Sequence, residues 1–351
     1  MTADASVSVV LPAYTITKVS LYGVNALNES GGVAGWFGTP PSPSGITPND
    51  TAAWTSGDAP PLAPPPPGQD PLLSPSNCPS GPYGTVCASH ASGINSAGEV
   101  VVSVTGSPAG LTVIHYGPGS ATIIPELLSA TAIGDTDTVV GQTLTRHAGV
   151  FASGLLVDLG TLGGATSVAN GLNAAGRVVG SAMLAGDMAT HAFLDDGGAL
   201  IDLGELGGGT SAAWAVNDSG VVVGESTISN GETHAFRYAD DQMVDIGASS
   251  GTFSSATGIN NAGLIVGTFV PPNSPNDGRH THPFLYSNAT MFDLWEIAAR
   301  PETYPAGEAV WCCNGFVRIN NHGQILVALC DGDSALYHTS DCWGVVLTPP
   351  E

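Results

Sequence analysis

One pattern of apolar and polar positions recurs along this chain. It is an apolar residue, usually Asn, two variable residues, Gly, then an apolar triplet that often ends in Gly. Copies begin at Leu27-Asn28, Ile94-Asn95, Leu172-Asn173, Val216-Asn217, Ile259-Asn260 and Ile319-Asn320, and a degenerate copy at Ile133 reads IGDTDTVVG. The steps between the seven apolar leaders are 67, 39, 39, 44, 43 and 60 residues. Self-similarity at such a period is the signature of a repeat architecture. Each phrase predicts a β-hairpin. Asn accepts hydrogen bonds from the backbone just ahead of it and starts a turn. The Gly three residues on supplies the left-handed conformation of a type I turn with a G1 bulge. The apolar triplet is then a short buried strand, which gives the Asn a structural job.

Two further phrases follow at fixed distances. One reads His147-Ala148, His191-Ala192-Phe193, His234-Ala235-Phe236 and His282-Pro283-Phe284. The other reads Asp158-Leu159-Gly160, Asp202-Leu203-Gly204, Asp245-Ile246-Gly247 and Asp293-Leu294. His precedes Asp by 11 residues in all four cases, with turn residues near the midpoint, so a tight hairpin is expected to set His opposite Asp on neighbouring strands. Each unit of about 40 residues then supplies four strands, which is the blade of a propeller. The expectation is one all-β domain over residues 1–351: a seven-bladed β-propeller of four-stranded antiparallel blades. The last repeat lacks a fourth strand, and the Tyr14–Val19 segment is expected to supply it and close the ring, removing exposed edges. Loop insertions are expected at about 39–90, which is rich in Pro, Ser and Gly, and at 295–313.

With these phrases in place the chain resembles the bacterial HAF repeat family. The residues that carry the resemblance are His191-Ala192-Phe193, His234-Ala235-Phe236, the DLGTLGG run from Asp158 to Gly164 and the LNAAGRVVG run from Leu172 to Gly180. The match is strong over about Gly141 to Leu294 and weak over the first 130 residues. Two departures stand out: Gly149 follows His147-Ala148, and Pro283 replaces the alanine of the fourth copy. The family name describes a repeat with no agreed activity. The resemblance implies export and a propeller-like fold, and it transfers no catalytic residue.

Composition narrows the function classes. The chain carries 30 acidic residues against 7 basic ones, a formal charge of −23, and Lys18 is its single lysine. That balance excludes nucleic-acid binding, which needs a basic face for phosphates, and docking on an anionic membrane surface. No stretch approaches the length of an apolar membrane span. Met1–Pro12 lacks the basic and apolar regions of a signal peptide, so none is read there. The six cysteines are Cys78, Cys87, Cys312, Cys313, Cys330 and Cys342. An even number in the irregular parts of the chain points to disulfides and an oxidising compartment, with Cys78–Cys87 closing a small loop and the other four pairable in several ways.

The repeated His–Asp pairs resemble half of a hydrolase triad. Four copies at one spacing argue instead for architecture, because a His donating to an Asp satisfies both groups and ties two strands. No nucleophile elbow in a strand-to-helix setting and no phosphate-binding loop occurs. His280 and His282 lie two apart and would share one side of a strand, a workable metal pair in which His280 is the residue outside the repeat. Asp135 with Asp137, and Asp331 with Asp333, are candidate cation ligands for Ca²⁺ or Zn²⁺ without a complete binding-loop pattern. Among histidines outside the repeat, His115 and His338 complete the set with a claim on chemistry. Trp54 and Trp311 lie in the two insertions, and with Arg279 and His280 they are the candidate ligand-binding residues. The preferred reading is a secreted or periplasmic binding or scaffold module that presents its insertions to a glycan or protein partner. The alternative is a hydrolase or lyase, with or without the assistance of a metal, working at one mouth of the propeller channel.

Overall fold

The computed structural model describes residues 14–19, 21, 23–37, 51–54, 80–81, 84–85, 88–107, 110–117, 120–247, 251–272, 274, 281–298, 310–331 and 342–350. Among them every Asn of the repeated phrase folds as the pattern requires. The Asn173 Oδ1 accepts the Arg177 amide at 2.9 Å, the Gly176 amide bonds back to the Asn173 carbonyl at 3.0 Å, and Gly176 takes a φ of +82°. Such a turn holds its two strands in antiparallel register. Leu172 pairs with Val178, and a one-residue bulge follows between Ala169 and Gly171.

The strands assemble into a β-propeller. Six sheets are four-stranded and antiparallel, and the sheet headed by the first Leu-Asn copy has three strands, Gly23–Leu27, Val33–Phe37 and Thr51–Trp54. The expectation of seven four-stranded blades is thereby corrected to six. In the first repeat, the stretch that would supply the fourth strand falls within the long insertion, most of which lies outside the described residues. The insertion also holds the Thr51–Trp54 strand and a short pair, Ser80–Gly81 with Gly84–Thr85, where a surface loop with little regular structure is expected from the sequence. A one-turn helix, Trp295–Ala298, follows Asp293 in the second insertion. The N-terminal strand Thr15–Val19 pairs with Cys342–Thr348 and completes the last sheet, from Thr15 opposite Thr348 to Val19 opposite Gly344. Closing the ring in this way gives the last sheet its fourth, outer strand and covers the edge that Cys342–Thr348 would otherwise expose.

Apolar clusters lie between successive sheets rather than in one central core. Val223, Ala235 and Ile246 of one blade pack on Ala256, Ile265 and Phe284 of the next. Val140 and Ala148 pack on Ala169, Val178 and Phe193. Leu326 and Val346 of the last sheet pack on Leu21, Val24 and Val33 of the first, so the join is cemented like any other. Phe193, Phe236 and Phe284, the aromatic residues of the HAF phrase, are fully buried. Each lies opposite the glycine that ends the apolar triplet of its own blade, Gly180, Gly224 and Gly267. A ring needs that space, because a methyl group on any of the three glycines would sit 2.8 Å from the aromatic edge. In the third repeat Gly141 faces Gly149 instead, which is where the phrase lost its Phe.

Among the described residues no helix is long and apolar enough to cross a membrane. The backbones of Cys330 and Cys342 are register partners on adjacent strands. Their side chains and those of Cys312 and Cys313, and all of Cys78 and Cys87, lie outside the described residues, and no disulfide is present among the described ones.

Candidate functional site

The His–Asp pairs form in all four copies. Nδ1 of His147, His191, His234 and His282 lies 3.0, 2.8, 2.8 and 2.7 Å from Asp158, Asp202, Asp245 and Asp293. The two residues are not directly opposite, as the spacing suggested. Asp202 faces Phe193, two positions beyond the His, and Asp245 faces Phe236. The side chains therefore meet along the diagonal, still within reach of long groups. Each Asp also accepts the backbone amide two residues on, from Gly160, Gly204, Gly247 and Trp295, at 2.8 Å in every case. At Asp158 burial pushes the carboxyl up, but the Gly160 amide, the Thr145 hydroxyl and His147 outweigh it and hold the group below the usual carboxylate range. Each pair is thus committed to holding its hairpin and the turn that leaves it. In the fourth copy Trp295 stacks on His282 with ring centres 4.7 Å apart, so the His there is covered as well.

A different set of residues converges at the hub. The first strand of each repeat ends at the Asn turn, and the turns gather around one rim of the channel. The Asn side chains form a ladder from sheet to sheet. Nδ2 of Asn28 donates to the Asn95 carbonyl at 2.8 Å, Asn173 to Asn217 at 2.9 Å, Asn217 to Asn260 at 3.2 Å, Asn260 to Asn320 at 3.2 Å, and Asn320 back to Asn28 at 3.0 Å. The ring weakens in the degenerate copy. Asn95 reaches the Gly134 carbonyl at 3.4 Å, and Gly134 has no side chain to pass the contact on.

The residue after each Asn builds a second belt, nearer solvent. The amides of Ala174, Asp218, Asn261 and Asn321 donate to the side chains of Asp218, Asn261, Asn321 and Glu29 of the following sheet, at 2.8–3.0 Å. Ser96 donates to Asp135 through both its amide, at 2.8 Å, and its hydroxyl, at 3.0 Å. This belt rims a cavity of about 270 Å³ at the channel mouth, lined by the apolar leader and the residue after the Asn from all seven copies. Three of those lining residues are carboxylates, Glu29, Asp135 and Asp218, and none is basic. The mouth is therefore a concentric site with apolar leaders beneath and an acidic, hydrogen-bonded rim above.

Arg318 departs from the repeat below this rim. Other copies place Ala or Gly two residues before the Asn position, and the one-residue bulge that precedes it in the other copies is missing from the pairing of Val317 with Val327. The guanidinium donates to the Thr257 carbonyl at 3.1 Å. The residue is half-buried, and burial lowers its pKa to about 10, so it remains a cation at neutral pH.

The structure distributes the sequence-expected site residues unevenly. Asp135 stands in the rim. Asp137 occupies the turn beside it with a φ of +57°. Trp54 ends the Thr51–Trp54 strand and Trp311 belongs to the Val310–Ile319 strand, with side chains outside the described residues, as is the side chain of Asp331. Arg279, His280 and Asp333 lie outside the described residues altogether. Glu29 and Asp218, both needed for the rim, were missed. The signal available was the identity of the residue after each Asn, read as one column down the repeats.

A buried carboxylate between two blades yields a direct test of packing. Burial pushes Glu225 above the usual carboxylate range, against the Ser255 hydroxyl and, more weakly, the Trp214 indole, whose N–H completes no hydrogen bond. A raised folded-state pKa means the group costs no stability below its unfolded pKa and costs increasingly as pH rises through the folded value. Glu225→Gln is therefore expected to stabilise the protein at neutral pH by on the order of 1 kcal/mol. Urea denaturation from pH 4 to 8 should show that gain fading toward the acid end.

No family model matches this chain, and no curated protein matches it. Among solved structures, it is similar to YCF48 bound to D1 peptide, with 11% identity over 97% of this chain and 96% of that one and a TM-score of 0.47. It is also similar to a triple arginine-to-alanine mutant of AofleA from Arthrobotrys oligospora, with 11% identity over 74% of this chain and 86% of that one and a TM-score of 0.39.

Proposed function

We propose that this chain is a binding module that works outside the cytoplasm and takes a cationic segment of a protein partner at its channel mouth. The observation that carries this reading is the rim, where Glu29, Asp135 and Asp218 surround a cavity whose lining holds no basic residue. A chain of net charge −23 adds a long-range field that draws cations and repels anionic polymers. Export follows from the HAF resemblance, which we carry forward as part of the proposal.

The test uses the repeat's own chemistry. Asn already fills the rim position at Asn261 and Asn321, accepting the same amide that Asp218 and Glu29 accept. The triple variant Glu29→Gln, Asp135→Asn, Asp218→Asn should therefore keep the main-chain amide bonds of the belt and lose the charge, giving up the exposed Nδ2 donations of Asn261 and Asn321. Fluorescence anisotropy with a labelled Lys/Arg peptide should show binding that weakens with salt. The triple variant should lose roughly 10-fold or more in affinity. Equal affinity in wild type and variant, or preference for a neutral glycan on an array, would remove the rim from the function.

A further inference from the structure

We propose that Glu99, His115 and Asp137 form a site for one first-row divalent cation of the Zn²⁺ class, clamping two adjacent sheets beside the channel mouth. Their ligand atoms all lie within 4.8 Å of one another. Glu99 enters the Val100–Ser107 strand and His115 belongs to the neighbouring Gly110–Gly117 strand. Asp137 comes from the turn of the next sheet. His115 Nε2 lies 3.6 Å from Glu99 Oε2, and it is buried with no hydrogen-bond partner. A buried ring nitrogen without a partner, facing two carboxylates, is an unfinished polar site of a kind folded proteins avoid. A tetrahedral ion with bonds near 2.1 Å sets its ligands about 3.4 Å apart, so the His–Glu pair is already spaced for it. All three ligand atoms lie within 4.8 Å, so the Asp137 carboxylate needs to move by at most about 1.4 Å to reach that spacing. An imidazole among the donors favours zinc-class ions over Ca²⁺ or Mg²⁺.

The position in the repeat makes the same point independently. Six copies place Gly three residues after the Asn position, at residues 31, 98, 176, 220, 263 and 323, and Asp137 stands there in the seventh with a positive φ. The position after that Gly is a carboxylate in one copy alone, at Glu99. Both departures fall where the Asn ladder is weakest, at Asn95 and Gly134. Asn95 holds both carboxylates from behind, with Nδ2 at 2.9 Å from Glu99 Oε2 and 3.5 Å from Asp137 Oδ1. An ion bridging Glu99 and His115 to Asp137 would reinforce between these two sheets the ladder step that Asn95 makes at 3.4 Å. Three protein ligands leave one coordination position for water, as in open zinc sites.

The experiment uses the full chain stripped with chelator, loaded with Zn²⁺, desalted and assayed for bound zinc and thermal stability. Wild type should retain about one zinc per chain and gain on the order of 4 °C in Tm. His115→Ala should lose both. Asp137→Gly restores the residue of the other six copies, so the apo protein should melt no lower than wild type while zinc retention and the thermal shift disappear. That variant separates loss of binding from loss of folding. Retention of zinc by either variant at the wild-type level would place the metal elsewhere, for instance on the cysteines, and overturn the site. Failure of wild type to retain zinc would leave a His–Glu ion pair and equally overturn it.

Discussion

Asn217→Ala should destabilise the protein by about 2–4 kcal/mol and lower its Tm by roughly 3–5 °C. Asn217 is buried at 4% exposure and serves three partners. Its Oδ1 accepts the Val221 amide at 2.9 Å and the Ser219 hydroxyl at 2.8 Å, and its Nδ2 donates to the Asn260 carbonyl at 3.2 Å. Alanine orphans the Val221 N–H and takes one of two donors from the Asn260 carbonyl, which keeps the Gly263 amide at 3.0 Å, and an orphaned N–H costs far more than the net value of the bond it lost. The matched control is Asn321→Ala on the solvent-facing belt. Its partners are exposed and can turn to water, so it should cost well under half as much. Equal losses at the two positions, measured by urea denaturation, would mean that the ladder is a decoration and does not hold the ring.

Gly224→Ala should be at least as damaging, at about 3–5 kcal/mol. The added methyl would lie 2.0 Å from the Ala212 carbonyl and 2.8 Å from Phe236 Cε1. The ring could yield by a rotamer shift. The carbonyl belongs to the paired strand of the same blade and cannot move without opening the bulge at Ala213–Ala215. Trimming the ring with Phe236→Leu should therefore fail to rescue Gly224→Ala. Gly198→Ala has open space around it and no positive φ, and it should be close to neutral. Because Gly180 and Gly267 meet the same carbonyl contact, at 2.0 and 1.9 Å, the same result is expected in three blades.

These two cases show what a single chain makes legible. The Asn-to-Gly turn could be read locally, because its hydrogen bonds close within four residues. The His–Asp hairpin was legible for the same reason, though the diagonal contact needed the observed register. The Nδ2 ladder joins residues 39 to 292 positions apart and exists because the ring closes, so no local pattern announces it. The count of strands per repeat went astray in the first repeat, where the long insertion interrupts the spacing on which the inference rested. At the site, Asp135, Asp137 and His115 each stood out as departures from the repeat. What joined Asp135 to a rim and Asp137 to His115 and Glu99 was the sideways stacking of sheets. Arg318 shows the converse. Its column is Ala or Gly elsewhere, and such a departure in an otherwise uniform column is a readable sign even before its partners are known.

The central claim is that the repeated polar residues build the ring and the acidic mouth does the binding. Hydrogen–deuterium exchange of the full chain, with and without a saturating Lys/Arg peptide, tests it most directly. The account predicts slowed exchange at the mouth amides, in the turns around Glu29, Ser96, Asp218 and Asn261, with the His–Asp hairpins unchanged. Protection confined to the hairpins around His191 and His234, with the mouth turns exchanging as before, would contradict it.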